Sequence, residues 1–163
     1  MATNPSKYVF NHTMIRVKDP KASLKFYEEV LGMKNINKLE NEGGKFTLYF
    51  LAYVDSVPES QEEKEKLAFG MPGVLELTHN WGTENDADFS YSNGNSEPGR
   101  GFGHIAILVD DLHKACERFE QLNVKFIKRL QDGKMHNIAF LADPDNYWVE
   151  IIQNPAVTGV SPV

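Results

Sequence analysis

One supersecondary unit occurs twice in this chain of 163 residues, and that repeat limits the possible folds more than any other feature. Aligned without gaps, HTMIRVKDPKASLKFYEEVLG (12–32) and HIAILVDDLHKACERFEQLNV (104–124) keep the same order of apolar, acidic and aromatic positions. A later FLAYVD (50–55) matches FLADPD (140–145). Each copy begins with a histidine and has a glutamate in a late strand, so the repeat is also a functional clue.

The first copy has clear signals for a strand, a helix and further strands. TMIRV (13–17) alternates and is rich in branched residues, which predicts a strand. Asp19-Pro20 predicts a helix start, with aspartate as the N-cap and proline at the first helical position. Gly32 is well placed to end that helix. Further strands are expected at 45–53 and 73–79.

The second copy repeats this order. HIAILV (104–109) predicts a strand, and Asp111 is expected to cap a helix. The apolar face of this helix consists of Leu112, Ala115, Phe119 and Leu122. Strands are expected near 124–129, 137–142 and 147–152.

Two segments lie outside the repeat. Residues 56–72 are charged and irregular, and they predict a surface excursion with a short helix that the second copy lacks. Residues 83–103 are polar and glycine-rich, which is typical of a linker loop.

The predicted fold class is α+β, with two tandem βαβββ modules that form curved, mixed, mainly antiparallel sheets. The predicted division is an N-terminal arm (1–9), a first module (10–82), the linker (83–103), a second module (104–153) and a C-terminal tail (154–163).

Composition excludes several classes of partner. The net charge of −6 argues against non-specific nucleic-acid binding, which requires clustered lysine and arginine. No apolar run approaches the roughly 20 residues of a membrane span, so no membrane partner is expected. The first residues lack the pattern of a secretory signal. Cys116 is the single cysteine and predicts no internal disulfide, so a reducing, cytoplasmic compartment is expected.

The histidine and glutamate of each copy are candidate metal ligands: His12 and Glu76, His104 and Glu150. A lone histidine at a strand start is more often structural, and a glutamate between apolar neighbours can simply face water. Recurrence in both copies favours a ligand role, because chance would seldom arrange it. If the flanking aliphatic residues pack against the outer helices, the glutamates point to the concave sheet face, where a carboxylate needs a partner. Two imidazoles and two carboxylates suit zinc, nickel, cobalt or manganese. From spacing alone, both interpretations remain open.

Polar residues near these four could bind a small anion. Arg16 follows His12 in the first strand, and Asn80 follows Glu76 closely. Arg100 precedes His104, while Lys128 and Lys134 flank a turn. Any one of these cations is more typical of a solvated surface. The glycine-rich GRGFG (99–103) lacks GK[ST] and enters a strand, so it does not predict a phosphate loop.

Several independent motifs resemble one known family. The sequence is similar to glyoxalase I, the lactoylglutathione lyases of the vicinal oxygen chelate superfamily, in its long eukaryotic type. The resemblance covers roughly residues 8–153. It rests on HTMIRVKDPKASLKFYEEVLGM, KFTLYFLAY, LELTHNWGTE, NGNSEPGRGFGHIAI, VKFIKRLQDGKM and IAFLADPDNYWVEII.

The resemblance implies a homodimer with a metal site at each interface between a first and a second module. It implies one divalent metal per site, with zinc favoured and nickel or cobalt possible. The implied metal ligands are His12, Glu76, His104 and Glu150. The implied contacts to the substrate and its glutathione moiety are Arg16, Asn80, Arg100, His104, Lys128, Lys134 and Met135, with Leu48, Phe50 and Phe140 as pocket walls.

The reaction implied by the resemblance is isomerisation of the hemithioacetal of methylglyoxal and glutathione to S-lactoylglutathione, with glutathione as co-substrate. A metal-stabilised enediolate is expected, because the substrate C–H next to a carbonyl is a weak acid. Glu150 is the expected catalytic base, displaced from the metal when substrate arrives. Glu76 is its counterpart for the other diastereomer.

Two positions depart from the family pattern. His12 stands where animal members have glutamine, and a set of two histidines and two glutamates is common among nickel-activated short forms. The 56–72 excursion and the 83–100 loop resemble the zinc-type forms instead, which favours zinc. Asn146 stands where the family motif DPDGY has glycine. Asparagine tolerates positive φ next best to glycine, so the turn at this position is expected to form all the same.

Two alternatives come from the same fold. One is another metalloenzyme, such as an extradiol dioxygenase or an epimerase, but those dioxygenases generally use three protein ligands and iron. The other is a metal-free module that binds a small molecule. The presence of all four candidate ligands favours the lyase over both.

Overall fold

The computed structural model describes residues 3–159, which form two compact units that divide between Phe89 and Ser90. Each unit has one four-stranded mixed sheet and a helix after its first strand. The predicted α+β fold of two tandem βαβββ modules is therefore confirmed. The division lies within the predicted 83–103 linker. In residues 3–159, no helix is long and apolar enough to cross a membrane.

The first unit has strand order β1-β4-β3-β2. The outer strand β1 runs parallel to β4, and the other neighbours are antiparallel. Its elements are β1 (His12–Val17), α1 (Pro20–Lys25), a π-helical turn (Phe26–Val30), β2 (Lys34–Asn41), β3 (Phe46–Ala52), α2 (Gln61–Gly70) and β4 (Val74–Asn80).

The predicted start and end of the first helix are confirmed. The Asp19 carboxylate accepts a hydrogen bond from the Lys21 amide at 2.8 Å, and Pro20 is the first helical residue. The chain leaves the helical region at Gly32, whose φ of +77° suits glycine. Tyr27, in the π-helical turn, is fully buried. Local capping and burial of this aromatic side chain therefore fix the helix against the sheet.

Strand β2 was missing from the strands expected from sequence. It lies at the sheet edge, and its sequence KNINKLEN alternates poorly between apolar and polar residues. Ile36 is its one fully buried apolar side chain. An edge strand needs few apolar residues, so its pattern is weak in the sequence.

The 56–72 excursion contains the expected helix, α2. The Ser60 hydroxyl caps it by accepting from the Glu63 amide at 3.3 Å. Ala68 of this helix is fully buried and belongs to the same apolar cluster as Phe50. The Phe69 ring lies 5.1 Å from the Phe50 ring. The helix α2 thus covers one end of the sheet face to which Phe50 belongs.

The second unit has the matching order β5-β8-β7-β6, with β5 parallel to β8. The Asp111 carboxylate caps its helix by accepting from the Lys114 amide at 3.0 Å. Leu122, expected on the apolar helix face, is 48% exposed because the helix ends at Gln121. The elements are β5 (His104–Val109), α3 (Leu112–Gln121), β6 (Phe126–Lys128), β7 (Ile138–Ala142) and β8 (Trp148–Gln153), followed by the short α4 (Pro155–Thr158).

The turn before β8 survives the substitution of glycine by asparagine, as expected. Asn146 has φ +63°, and its amide donates to the Asp143 carbonyl at 2.9 Å. The Lys125 ammonium donates to the Asn146 side-chain oxygen at 2.7 Å. The turn therefore places Trp148 and the residues after it in β8.

Candidate active site

In the first unit, His12 and Glu76 lie on the same sheet face, on adjacent parallel strands. His12 is paired in register with Val74, two residues before Glu76. Because side chains alternate between faces, Val74 and Glu76 point the same way as His12. The His12 Nε2 atom lies 3.3 Å from Glu76 Oε2, and the glutamate side chain is only 12% exposed.

The second unit repeats this geometry. His104 is paired with Trp148, again two residues before the glutamate. The His104 Nε2 atom lies 3.3 Å from Glu150 Oε2, and the Glu150 side chain is 16% exposed. The sequence repeat is therefore also a repeat of atomic geometry.

A phenylalanine ring packs against the histidine of each pair. Phe50 is the antiparallel partner of Glu76, and its ring lies edge-on to His12 with centroids 6.3 Å apart. Phe140 is the partner of Glu150, and its ring lies 5.3 Å from that of His104. Each histidine–glutamate pair thus has an aromatic ring beside its histidine.

The hydrogen bonds around His12 determine which of its two ring nitrogens carries the hydrogen. The Asn11 amide nitrogen donates to the Ala68 carbonyl at 3.0 Å and to the Met71 carbonyl at 2.6 Å. Its oxygen therefore faces His12 Nδ1, at 2.6 Å, as an acceptor. The Nδ1 atom must carry a hydrogen, so a neutral ring presents its Nε2 lone pair to Glu76 Oε2.

Two acceptor atoms at 3.3 Å repel one another unless a proton or a cation lies near both. A neutral imidazole nitrogen beside a carboxylate is a donor set that suits a divalent transition metal. The residues present therefore fit the metal that the resemblance implies. In the part of the chain described, no three or more His, Cys, Asp and Glu side chains gather as a metal site. Each unit has one such histidine–glutamate pair, which is called its half-site below.

The half-site of the first unit opens onto a groove of ≈ 320 Å³. Arg16 lines this groove, and its Nη1 donates to Asn80 Oδ1 at 2.8 Å. The side chains of Glu76 and Arg16 thus both line this groove. The lining residues are Met14, Arg16, Phe46, Leu48, Glu76, Thr78 and Asn80.

The remaining predicted anion contacts lie in the linker and the second unit. Arg100 is exposed and pairs with Glu97, with Nε 2.9 Å from Oε1. Lys128 donates to the carbonyls of Met135, Ile138 and Arg129 at 2.6, 3.0 and 3.2 Å, which uses all three of its N–H groups. Lys134 and Met135 are exposed in the loop that Lys128 holds. Their roles stay predictions.

Three residues of the first unit were missed by sequence reasoning, two beside the half-site and one on the other face of β4. Asn11 orients the His12 ring, as described above. Thr78 donates from its hydroxyl to Glu76 Oε1 at 3.2 Å. His79 lies on the opposite, buried face, with Nε2 2.7 Å from Glu84 Oε2, and it anchors the turn after Asn80. A polar residue beside a candidate ligand was the available signal for Asn11 and Thr78.

Comparison with known proteins shows which family the chain belongs to. The pattern of the Glyoxalase/Bleomycin resistance protein/Dioxygenase superfamily matches residues 9–151. A lactoylglutathione lyase of Pseudomonas aeruginosa is 58% identical over 149 residues, which are 90% of this chain and 83% of that protein. A lactoylglutathione lyase of Schizosaccharomyces pombe is 51% identical over 92% of this chain, but this chain spans only 46% of its length. Bacterial and fungal proteins both match, so the long eukaryotic type stays a prediction.

A solved structure agrees with these sequences. The trypanothione-dependent glyoxalase I of Leishmania major has a TM-score of 0.67 and 32% identity, covering 94% of this chain and 91% of that chain. The similarity extends over both units. The shared fold is thus supported by sequence and by structure alike.

Proposed function

This chain belongs to the lactoylglutathione lyase family of the glyoxalase/bleomycin resistance protein/dioxygenase superfamily, and we propose that it isomerises the methylglyoxal–glutathione hemithioacetal to S-lactoylglutathione. The observation that carries the proposal is the repeated contact of a histidine Nε2 with a glutamate Oε2, at 3.3 Å in both units. Isomerisation requires a group that removes a proton from carbon and returns it to the next carbon. Carboxylates beside an electrophilic centre can perform both steps.

The four ligands of the proposed metal centre are His12, Glu76, His104 and Glu150. A divalent ion held there would polarise the substrate oxygens and stabilise the negative charge that develops on them. The two imidazoles supply neutral nitrogen ligands, and the two carboxylates balance the charge of the ion. Phe50 and Phe140 exclude water from one side of each pair, which strengthens the electrostatic interactions.

Glu150 is the proposed proton carrier, through an oxygen of its carboxylate. The two glutamates differ in their neighbours on the same strand. Thr78 donates to Glu76, whereas the corresponding residue two positions after Glu150 is Ile152, which has no hydroxyl. Glu76 is thus tethered by a side chain on its own strand, and Glu150 lacks that tether. A base that leaves a ligand position to take a proton must be able to move.

The groove of the first unit is proposed to hold the glutathione moiety. Arg16 is the cation in that groove, and Asn80 orients its guanidinium through the 2.8 Å hydrogen bond. A guanidinium held in this way can bind a carboxylate with two parallel hydrogen bonds. The corresponding position in the second unit is Leu108, which is 55% exposed. The two sheet faces therefore differ, and the first unit is the one suited to the charged part of the substrate.

The complete site is proposed to form in a homodimer, with the half-site of the first module of one copy and that of the second module of the other. The support is that each described unit offers only two ligands, while catalytic zinc sites in proteins use three or more. Light scattering on the metal-loaded protein tests this point. A dimer is expected, and a monomer with full activity would contradict it.

Zinc is the proposed metal, with nickel and cobalt as the alternatives that reconstitution would distinguish. Two nitrogen and two oxygen ligands suit all three ions. The cytoplasmic compartment likewise stays a prediction, based on the single, buried Cys116.

The test of function is the absorbance of thioester formed from methylglyoxal and glutathione. The protein is stripped with a chelator and then reconstituted with zinc, nickel or cobalt in separate samples. Turnover is expected only after metal addition. Absence of turnover with all three metals would overturn the proposal.

A further inference from the structure

The excursion between Phe50 and Glu76 contacts the residue next to a candidate ligand. Asn11 directly precedes His12, and its amide nitrogen donates to the carbonyls of Ala68 and Met71 at 3.0 and 2.6 Å. Ala68 is fully buried within α2, and Met71 is the residue that follows that helix. The end of α2 therefore holds the Asn11 side chain in place.

Asn11 is also fixed through its backbone. Its carbonyl accepts from the Val74 amide at 3.1 Å, just before β4 continues towards Glu76. Side-chain and backbone contacts together hold Asn11 between the end of α2 and the start of β4. Few rotations remain open to its side chain, so the direction of its oxygen is defined.

That oxygen lies 2.6 Å from His12 Nδ1. Because the amide nitrogen is already used by two carbonyls, the oxygen can only accept, and Nδ1 must donate. This sets the tautomer in which Nε2 has the free lone pair. It also fixes the plane of the ring, so that Nε2 points to Glu76.

We propose that Asn11 is a positioning residue through which α2 orients His12 and raises the affinity of the first half-site for a divalent metal. The proposal rests on the metal-dependent function proposed above. It also assigns a role to the excursion, because Ala68 in its helix and Met71 just after that helix provide the two carbonyls that hold Asn11.

The second half-site has no residue that corresponds to Asn11. The residue before His104 is Gly103, which has no side chain. The segment between Phe140 and Glu150 is also short and contains no helix. Orientation of the ligand through the preceding side chain is therefore specific to His12.

The first experiment measures metal affinity by competition with a chromophoric chelator. Loss of a hydrogen-bond partner of a ligating histidine typically weakens metal binding by about 10- to 100-fold, and that rise in Kd is expected for Asn11→Ala. Asn11→Asp, which keeps an acceptor for Nδ1, is expected to retain more affinity than Asn11→Ala. The matched control is Asn41→Ala, because Asn41 accepts from the Gly44 amide at 2.6 Å in a hairpin away from His12.

The second experiment reads the tautomer without metal. Histidine ¹⁵N spectra are recorded at mildly alkaline pH, because the ¹⁵N shifts of the two ring nitrogens distinguish the two neutral tautomers from each other and from the charged ring. His12 is expected to be protonated at Nδ1 in the unsubstituted protein and to become a mixture of tautomers in Asn11→Ala. A ring protonated mainly at Nε2 in the unsubstituted protein would overturn the proposal.

The two proposals fail in different ways. If the unsubstituted protein binds no divalent ion, the proposed function fails, while the spectra still test the orientation of His12. If it binds metal and Asn11→Ala binds equally well, only the role of Asn11 is overturned. Circular dichroism shows whether each variant is folded before either result is interpreted.

Discussion

The Nε2 atom of His12 lies 3.3 Å from the Oε2 atom of Glu76, on the neighbouring parallel strand. The same two atoms of His104 and Glu150 lie at the same distance in the second unit. In both units the histidine is paired in register with the residue two before the glutamate. The two units thus share the spacing of these two atoms as well as the fold around them.

Replacing Glu150 by glutamine is expected to remove most of the turnover. The amide keeps the size of the side chain but cannot accept a proton from carbon at neutral pH. General-base catalysis contributes about 10²- to 10⁴-fold, so a loss of this order in kcat is expected. The thioester absorbance assay checks it, with the exposed Glu117→Gln as the control. Near-normal turnover would exclude Glu150 as the base.

Replacing Asn80 by alanine is expected to raise KM with little change in kcat. The substitution frees the Arg16 guanidinium, which then loses its orientation towards a substrate carboxylate. A hydrogen bond to a charged group contributes about 1.5–3 kcal/mol, which corresponds to roughly a 10- to 150-fold rise in KM. Steady-state kinetics over a range of hemithioacetal concentrations measure both parameters. The control is Lys21→Gln on the exposed side of α1, and an unchanged KM for Asn80→Ala would contradict the assignment of the groove.

The turn after β4 is expected to make stability depend on acid pH. Hydrogen bonds from its own backbone amide, from His79 and from the Gly82 amide hold the pKa of the Glu84 carboxyl below its ordinary value of 4.5. A lowered pKa stabilises the fold above pH 4.5, and this contribution is lost as the pH falls through the folded-state pKa.

Glu84→Gln is therefore expected to have a lower Tm than the unsubstituted protein at neutral pH. The difference should shrink as the pH falls below 4.5 and through the lowered pKa of the Glu84 carboxyl. Thermal melts across this range measure the change, with Glu59→Gln as an exposed control. A Tm difference that stays constant over the whole range would show that the charge of Glu84 contributes nothing.

Cys116 is expected to be unreactive in the folded protein. Its side chain is buried in the apolar face of α3, and burial raises the pKa of the thiol to about 11. At pH 7 only about one thiol in 10⁴ is then ionised, and the thiolate is the reactive form. Mass spectrometry after iodoacetamide treatment should show modification only once the protein is unfolded. Rapid modification of the folded protein would show that this helix face is open.

The repeat explains why much of the fold was visible in the sequence. Asp19 and Asp111 cap their helices as expected, because capping depends on neighbours within three residues. Strand β2 was missed because its edge position demands few apolar residues. Leu122 was placed on the apolar helix face, but the helix ends before it. Features that depend on local spacing could thus be predicted from the sequence better than those that depend on position in the sheet.

The candidate site shows the same difference between local signals and long-range contacts. The histidines and glutamates could be selected from the sequence because each recurs at a matching place. Asn11 stands beside a candidate ligand, but its role could not be predicted, since that role depends on the carbonyls of Ala68 and Met71, far away in the chain. His79 was missed for a similar reason, because its partner Glu84 reaches it only after the chain turns at the end of β4.

The most direct test of the central claim is a metal titration of the unsubstituted protein beside His12→Ala and His104→Ala. If the two half-sites form one centre, the unsubstituted protein binds one divalent ion per chain, and either substitution removes nearly all tight binding. If the half-sites act separately, each variant keeps the site of the other unit. Retained tight binding in both variants, or no binding by the unsubstituted protein, would contradict the account.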